Sequence, residues 1–309
     1  MSLVIVGSMA FDELETPFGN SGRVIGGSAT YSSLSASFFT EGIKVVSVVG
    51  NDFPDSGMNM LLEKGINLDG VEVKQDQKSF FWHGRYHNDL NTRDTLVTEL
   101  NVLADFNPIL PETFKTPDLL FLGNLSPDVQ RSVIEQTQSR PKLIAMDTMN
   151  FWMDIALEDL KKTLKLIDLL IINDEEARQL SGEYSIVKAA KKIKAMGPKY
   201  LVVKKGEHGA LLFYNDEIFF APALPLEEVF DPTGAGDTFA GGFMGYLAAN
   251  NEISFENMKR AVIYGSAAAS FCVEKFGTKR LEELTRTEIM DRSQRFVELV
   301  NFELQTVNG

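Results

Sequence analysis

The chain has 309 residues, 44% of them hydrophobic and 24% charged, with a formal net charge of −13 at neutral pH. That is the composition of an ordinary globular protein, and its acidity argues against nucleic acid or an anionic membrane as a partner. A single cysteine, Cys272, forbids an intramolecular disulfide and suits a reducing cytoplasm, and no apolar run approaches the ~20 residues that cross a bilayer.

Leu3-Val-Ile-Val-Gly7 is a continuous apolar run closed by glycine, the pattern of a strand buried on both faces. It is too short for a secretion signal and lacks the basic lead. Asp12 follows at the expected strand end, where open α/β sheets place ligands. Without that context it reads as a turn residue. Residues 15 to 25 are polar, with Gly19, Asn20, Ser21 and Gly22, and read as a hairpin leaving the sheet. Gly26-Gly27 then opens a helix through Phe39, and Tyr31 within it either stacks on a sugar or base or simply fills space. Lys44 to Asp52 is a second buried strand, followed by a helix containing Leu61 and Leu62. Ser79 to Tyr86 and Thr95 to Leu100 are rich in β-formers, separated by a polar turn at Asn88 to Asn91. With residues 13–25 they make a small separate sheet. His83 and His87 read as a solvated strand face, with no metal-ligand set around them.

From Asp118 strand and helix alternate: strand Leu119 to Gly123, helix Pro127 to Gln138, strand Leu143 to Met146, helix near Ile155 to Leu166, strand Leu169 to Ile172. Such alternation means βαβ units and a mostly parallel sheet. Two strand ends carry polar groups, Asp147-Thr-Met-Asn-Phe-Trp152 and Asn173-Asp-Glu-Glu176, the second also readable as a helix cap with an acidic first turn. Tyr200 to Leu212 reads as strand, glycine turn and returning strand, with Lys204 near its end and His208 solvated in the turn. A helix rich in small residues spans Met258 to Val273 and ends at Glu274-Lys-Phe-Gly277, and an amphipathic helix over Gln294 to Leu304 closes the chain.

The most informative stretch is Glu228 to Met244. Asp231-Pro232 opens a turn, Thr233 to Gly236 is small and flexible, and from Asp237 the apolar residues Phe239, Phe243, Leu247 and Ala248 recur at helical spacing. A helix start leaves N–H groups unpaired, and with the dipole behind them they form an anion site. A carboxylate there would repel a phosphate. It makes sense if Asp237 takes a proton from a hydroxyl while the neighbouring amides stabilise a phosphoryl group in transfer. The blander reading is an acidic residue favouring the first turn of a helix. In so acidic a chain an anionic nucleotide needs a local positive field, most simply Mg2+.

Together these stretches resemble the ribokinase (phosphofructokinase-B) family of carbohydrate and nucleoside kinases. The match at Asp231 to Gly242 is long and ungapped, and Asp12, Gly26-Gly27, Gly50 to Val71, Asn173 with Glu176, and Gly206 extend it along nearly the whole chain. The resemblance implies a ribokinase-like three-layer α/β/α fold, with a central mostly parallel sheet. One kinase domain would span residues 1–309, with a small β lid formed by about 13–25 and 79–100. It implies transfer of the γ-phosphoryl of ATP to a hydroxyl, typically hydroxymethyl, of a sugar or sugar derivative. Asp237 would be the general base, and Gly234, Ala235 and Gly236 the anion hole. Asp12, Gly26, Gly27 and Tyr31 would face the acceptor, and Asn173, Glu176, Lys204, Gly206 and Gly277 the nucleotide. Glu176 would hold Mg2+ through water, and Asp231 and Thr233 match the family's K+ site. Such lids often pair with a second subunit, so a homodimer is implied.

Two departures stand out: Tyr31 replaces the family's usual Asn, and the Asp147 segment is shifted in spacing and lacks the family's Arg, so no role is carried over to it. A nucleoside kinase on the same scaffold is the alternative reading, with Tyr31, Phe80, Phe81 and Trp82 available to stack on a base. A sugar- or nucleotide-sensing protein without catalysis is another, opposed by the intact Asp237. No Gly-x-x-x-x-Gly-Lys-Ser/Thr motif is present, so this is not a P-loop enzyme. Gly7 is followed by no Gly-x-x-Gly, which argues against a Rossmann dehydrogenase.

Overall fold

The computed structural model describes residues 1–90 and 92–303. In chain order the elements are β1 (Leu3–Val6), β2 (Ala10–Thr16), β3 (Gly19–Gly26), α1 (Ser28–Ser37), β4 (Ile43–Gly50), α2 (Asp55–Glu63), β5 (Asn67–Lys74), β6 (Phe80–Tyr86) and β7 (Arg93–Glu99). Then come β8 (Leu119–Leu122), α3 (Pro127–Glu135), β9 (Leu143–Met146), α4 (Asn150–Ile155), α5 (Leu157–Leu164), β10 (Leu169–Asn173), α6 (Asp174–Ser181) and α7 (Ile186–Lys194). The chain ends with β11 (Tyr200–Lys204), β12 (Ala210–Tyr214), β13 (Glu217–Ala221), α8 (Ala235–Asn250), α9 (Phe255–Cys272), α10 (Lys279–Glu283) and α11 (Arg286–Glu298).

Nine strands form the main sheet in the order β13-β12-β11-β10-β9-β8-β1-β4-β5. All pairs from β5 to β11 are parallel, and β12 and β13 return antiparallel at one edge. The apolar runs of β1, β8 and β9 are buried at every residue because helices cover both faces. Strand alternation sorts them: Leu3 and Ile5 join the core beneath α1, α8 and α9, while Val4 and Val6 join the core beneath α3, α5 and α7. Three layers result, as expected.

The second sheet has the order β3-β2-β6-β7. Its β2–β3 pair is the expected hairpin, and β6 lies parallel to β2, with Asp12 opposite Trp82. Asp12 therefore belongs to this small sheet and not, as its place in the sequence suggested, to the end of β1. The helix expected near 155–166 is α5, and a short helix not expected, α4, precedes it, parted from it at Ala156, whose φ of −138° and ψ of 30° leave the helical region. The last helix starts earlier than its apolar spacing suggested. Thr285 and Glu288 form a reciprocal capping box that fixes its start, and it ends at Glu298. Leu304, in the expected range of that helix, and Asn91, in the expected turn, lie outside the described residues. No helix among the described residues is long and apolar enough to cross a membrane.

Candidate active site

Strand order turns back at β1: the chain adds β4 and β5 on one side of it, then β8 to β11 on the other. Open α/β sheets bind ligands at such a switch point, beyond the carboxyl ends of the strands. Asp147 follows β9, Asn173 ends β10 and Lys204 ends β11. The Lys204 ammonium lies 3.7 Å from an Asp147 carboxylate oxygen. It also rests against the first turn of α8, 2.7 Å from where a Cβ on Gly236 would stand. A lysine whose side chain is 18% exposed and faces a carboxylate is no ordinary surface lysine. Burial alone would lower its pKa, but Asp147, Glu176 and Asp237 outweigh that and raise it, so it is a firmly held positive charge.

Asp237 is the third residue of α8 and partly buried. Burial first and Asp147 second raise its carboxyl to about 7, against the opposing pull of Lys204. A carboxylate with that proton affinity is suited to take a hydroxyl proton near neutral pH. Ahead of it the loop turns at Gly234, whose φ of 73° is left-handed and whose missing side chain makes room for the Tyr31 ring. Among the described residues the N–H groups of Gly234, Gly236 and Asp237 have no protein acceptor, whereas that of Ala235 is drawn to the Pro232 carbonyl at 3.3 Å. The anion hole expected from Gly234, Ala235 and Gly236 thus has free donors on either side of Ala235.

Asn173 and Glu176 form a complete capping box: the Asn173 side chain accepts from the Glu176 N–H at 2.8 Å and Glu176 Oε2 from the Asn173 N–H at 2.7 Å. The bland and functional readings therefore coexist. The cap occupies Oε2, and Oε1 accepts no hydrogen bond among the described residues. Burial and then Asp147 raise the Glu176 carboxyl to about 7; Lys204, the Asn173 N–H and Arg93 pull the other way, in that order. Asp147, which sequence reasoning left without a role, sits between them. Burial raises its pKa, opposed by Lys204 and the Thr148 N–H, which donates to it at 2.8 Å. Gln130, fully buried on α3, donates to the carbonyls of both Gly123 and Asp147 at 2.9 Å and holds the ends of β8 and β9 together. The signal for Asp147 was available: a carboxylate just past a buried parallel strand.

On the other side of Asp237, Asp12 is 6% exposed, and a side chain on Gly26 would collide with its carboxylate. Burial, then Asp231 and Asp237, push it up to about 8, with the Gly27 N–H opposing. Gly27 occupies the cap position of α1 at a φ of 96°. Tyr31 is 1% exposed, its ring against Gly234 and its hydroxyl without a hydrogen-bond partner. It fills space under the loop and offers no open face for stacking. Trp82 does: it shares the Asp12 face of the small sheet, lies across Gly84, and donates from Nε1 to Thr95 Oγ1 at 3.2 Å. Phe81 faces the other way, toward Arg23.

Asp231 is buried, and its carboxylate accepts from the Thr233 N–H at 2.8 Å and the Gly277 N–H at 3.0 Å, strapping the glycine loop to the turn after α9. The Thr233 hydroxyl meets the Tyr86 hydroxyl at 3.1 Å. Gly206 is exposed in the turn after β11 and is not brought to this cluster. His83 is partnered by Glu15 at 3.2 Å, more than the solvated face expected, while His208 is exposed beside Glu207.

Residues 12–284 match the model described as the pfkB family carbohydrate kinase, and the chain belongs to that family. It is 28% identical over 248 residues to a cytidine kinase of Thermococcus kodakarensis, covering 79% of this chain and 87% of that protein. It is 27% identical over 307 residues to a nucleoside kinase of Methanothermobacter thermautotrophicus, covering 90% and 91%. The solved nucleoside kinase of Methanocaldococcus jannaschii, an archaeal member of the ribokinase family, shares the fold with a TM-score of 0.77 at 20% identity, over 96% of this chain and 99% of that one. The protein is thus a phosphotransferase that acts on a sugar or nucleoside hydroxyl, and kinases of this family use ATP and Mg2+. The residues present fit that donor: free N–H groups at a helix start and a buried lysine for phosphate, and Glu176 Oε1 for a hydrated cation.

Proposed function

We propose that the acceptor is a nucleoside and the reacting group its hydroxymethyl. The observation that carries this reading is Trp82, an indole laid flat on the small sheet one strand from Asp12 and on the same face. Asp12 would take the ribose hydroxyls and Trp82 the base, which a free sugar lacks. The two relatives described above, matched along most of their length, are named for nucleoside acceptors, which supports the same class. Asp237 removes the hydroxyl proton. The N–H groups of Gly234, Gly236 and Asp237 with Lys204 receive the phosphoryl charge, and Asn173 and Glu176 border the donor. Glu176 would hold Mg2+ through water, and the ion would neutralise charge on the donor phosphates. A potassium ion at Asp231 and Thr233 would steady the glycine loop. The whole chain acts as one kinase domain, with β2, β3, β6 and β7 as its lid, paired to a second copy through the exposed strand β7. A cytoplasmic setting agrees with the one free, buried cysteine.

The test is initial rates on a panel of nucleosides, pentoses and hexoses with ATP and Mg2+, for wild type and Trp82→Ala. One or more nucleosides should give the highest kcat/KM. Loss of the indole should raise the nucleoside KM about tenfold with kcat nearly unchanged, as expected from ~1–3 kcal/mol of base stacking. A free sugar turned over with higher kcat/KM than every nucleoside would overturn the reading.

A further inference from the structure

The glycine loop is not held by the main sheet. After β13 the chain runs from Pro222 to Pro232 without strand or helix, and α8 begins only at Ala235. What fixes the loop is the turn after α9. The Val273 carbonyl accepts from the Phe230 N–H at 2.8 Å and the Asp231 N–H at 3.3 Å. The Gly277 N–H donates to Asp231 Oδ2 at 3.0 Å, and the Cys272 thiol donates to the Thr233 carbonyl at 3.6 Å. Gly277 makes its bond at a φ of 64°, which a residue with a side chain rarely adopts. The loop that presents the free N–H groups and Asp237 is thus cast against residues 272–277, and its geometry is no firmer than theirs.

Two arginines hold that turn, Arg280 on α10 and Arg292 on α11. Glu274, two residues beyond α9, has both carboxylate oxygens engaged: Oε1 by Arg292 Nη1 at 2.7 Å and Oε2 by Arg280 Nε at 3.0 Å. Arg280 reaches on to Glu288 Oε1 at 2.8 Å, and Arg292 to the Ser270 hydroxyl at 3.3 Å. Both guanidinium groups also lie against the buried Phe271 ring, 3.2 Å from its centre for Arg292 and 4.8 Å for Arg280. With side chains only 14% and 16% exposed, they differ from the surface ion pairs that contribute little. A network of charges taken out of water is costly to assemble, and apolar side chains of similar volume often serve stability as well or better. Ionic hydrogen bonds add direction: they hold Glu274, and with it the turn, in one place.

We propose that Arg292 and Arg280 are positioning residues for phosphoryl transfer. By clamping Glu274 they set the turn that places the glycine loop, and so the N–H groups of Gly234, Gly236 and Asp237. Neither arginine touches the reactants. A displacement of those donors by about 1 Å is enough to cost ~10²-fold in rate, because their bonds to the moving oxygens count most in the transition state. The inference rests on the reading of the glycine loop as the phosphoryl-binding element. It is independent of whether the acceptor is a nucleoside or a sugar.

The experiment uses the full-length protein, whichever acceptor gives turnover, and Arg292→Met. Methionine keeps an apolar stem against Phe271, and Glu274 keeps Arg280, so no charge is left unpaired and the thermal midpoint should hardly move. In that variant kcat should fall by about tenfold or more, with the acceptor KM within about threefold of wild type. Arg292→Lys, which keeps the charge without the planar fork, should fall between Met and wild type. Amide exchange, read by mass spectrometry on the protein without substrates, supplies a readout that a mere staple between helices would not move. Peptides covering 230–238 should exchange about threefold faster or more in Arg292→Met. Unchanged exchange in 230–238, with α10 and α11 alone quickened, overturns the clamp whatever the rate does. Faster exchange there with kcat within about threefold of wild type overturns its part in the reaction. Asp237→Asn, run beside it, separates that failure from one of the glycine loop itself, since Asp237→Asn would then keep its rate as well.

Discussion

Asp237 is held between two demands. Its position at a helix start favours a negative charge, while burial and Asp147 disfavour one and raise its carboxyl to about 7. In the proposed role of base such a carboxyl is half-ionised near neutrality, so kcat/KM should climb with pH and level off above about 7, a macroscopic value shared with Asp147 and Lys204. Asp237→Asn should lower kcat by ~10²–10⁴ and remove that rise. Stability should move the opposite way. A raised folded-state pKa means the native protein holds more protons than the unfolded chain between about pH 4 and 7, so ionising Asp237 costs stability progressively over that window. Asp237→Asn should therefore raise the thermal midpoint at pH 8 and leave it nearly unchanged at pH 4. An equal gain at both pH values would mean burial does not set this carboxyl. The helix start at Asp237 and the glycines before it were legible in the sequence because residue type and spacing alone define them. Asp147 showed only half of its signal, a carboxylate just past a buried strand, because its meaning depends on Lys204, which stands 57 positions later and is brought to it only by the order of the strands. Tyr86 gave no local signal at all, since its partner Thr233 is 147 residues away.

Two helices in this chain begin with the same device and should answer differently to its removal. Thr285 and Glu288 cap α11, which follows none of the strands whose ends form the site, and Asn173 and Glu176 cap α6 directly after β10. Thr285→Ala should cost about 0.5–2 kcal/mol in urea unfolding, the usual worth of a cap, without changing kcat. Asn173→Ala should cost a similar amount and in addition weaken ATP binding, because losing the side-chain acceptor of the Glu176 N–H lets the first turn of α6 fray and loosens the Asn173 N–H that holds Oε2 and so aims Oε1. If both variants lose only stability, the α6 box is a cap and nothing more. Elements were legible to the extent that burial wrote a continuous signal. β1, β8, β9 and β10 are buried on both faces and read directly as apolar runs. β5 and β13, edge strands with mixed exposure, wrote no such run and went unread. The start of α11 was misplaced because apolar spacing further on was weighed above Thr285-x-x-Glu288, although the capping box fixes a helix start more sharply than periodicity does.

At the scale of the molecule, the main sheet is closed off by helices on both faces, but the lid ends in a bare strand. All seven residues of β7 are exposed, and Leu96, Val97 and, just past the strand, Leu100 present apolar side chains to solvent at 39%, 38% and 50%. Edge strands of this kind are usually blunted or covered, since their unpaired N–H and C=O groups template further pairing. β7 carries charge only at its ends, Arg93, Asp94 and Glu99, and its middle is open. A second lid placed against it would cover Leu96 and Val97 and would hold the β6–β7 hairpin. The proposed pairing would couple dimerisation to catalysis: Leu96→Lys should give a particle of one chain in light scattering at micromolar protein, where wild type should give two. The same variant should lose kcat more than acceptor affinity, because the lid remains attached to Asp12 through β2 but no longer holds the β6–β7 end in register. A wild type of single-chain mass would remove the pairing altogether. A dimeric wild type whose monomeric variant keeps full kcat would leave the pairing in place and show that each lid closes on its own.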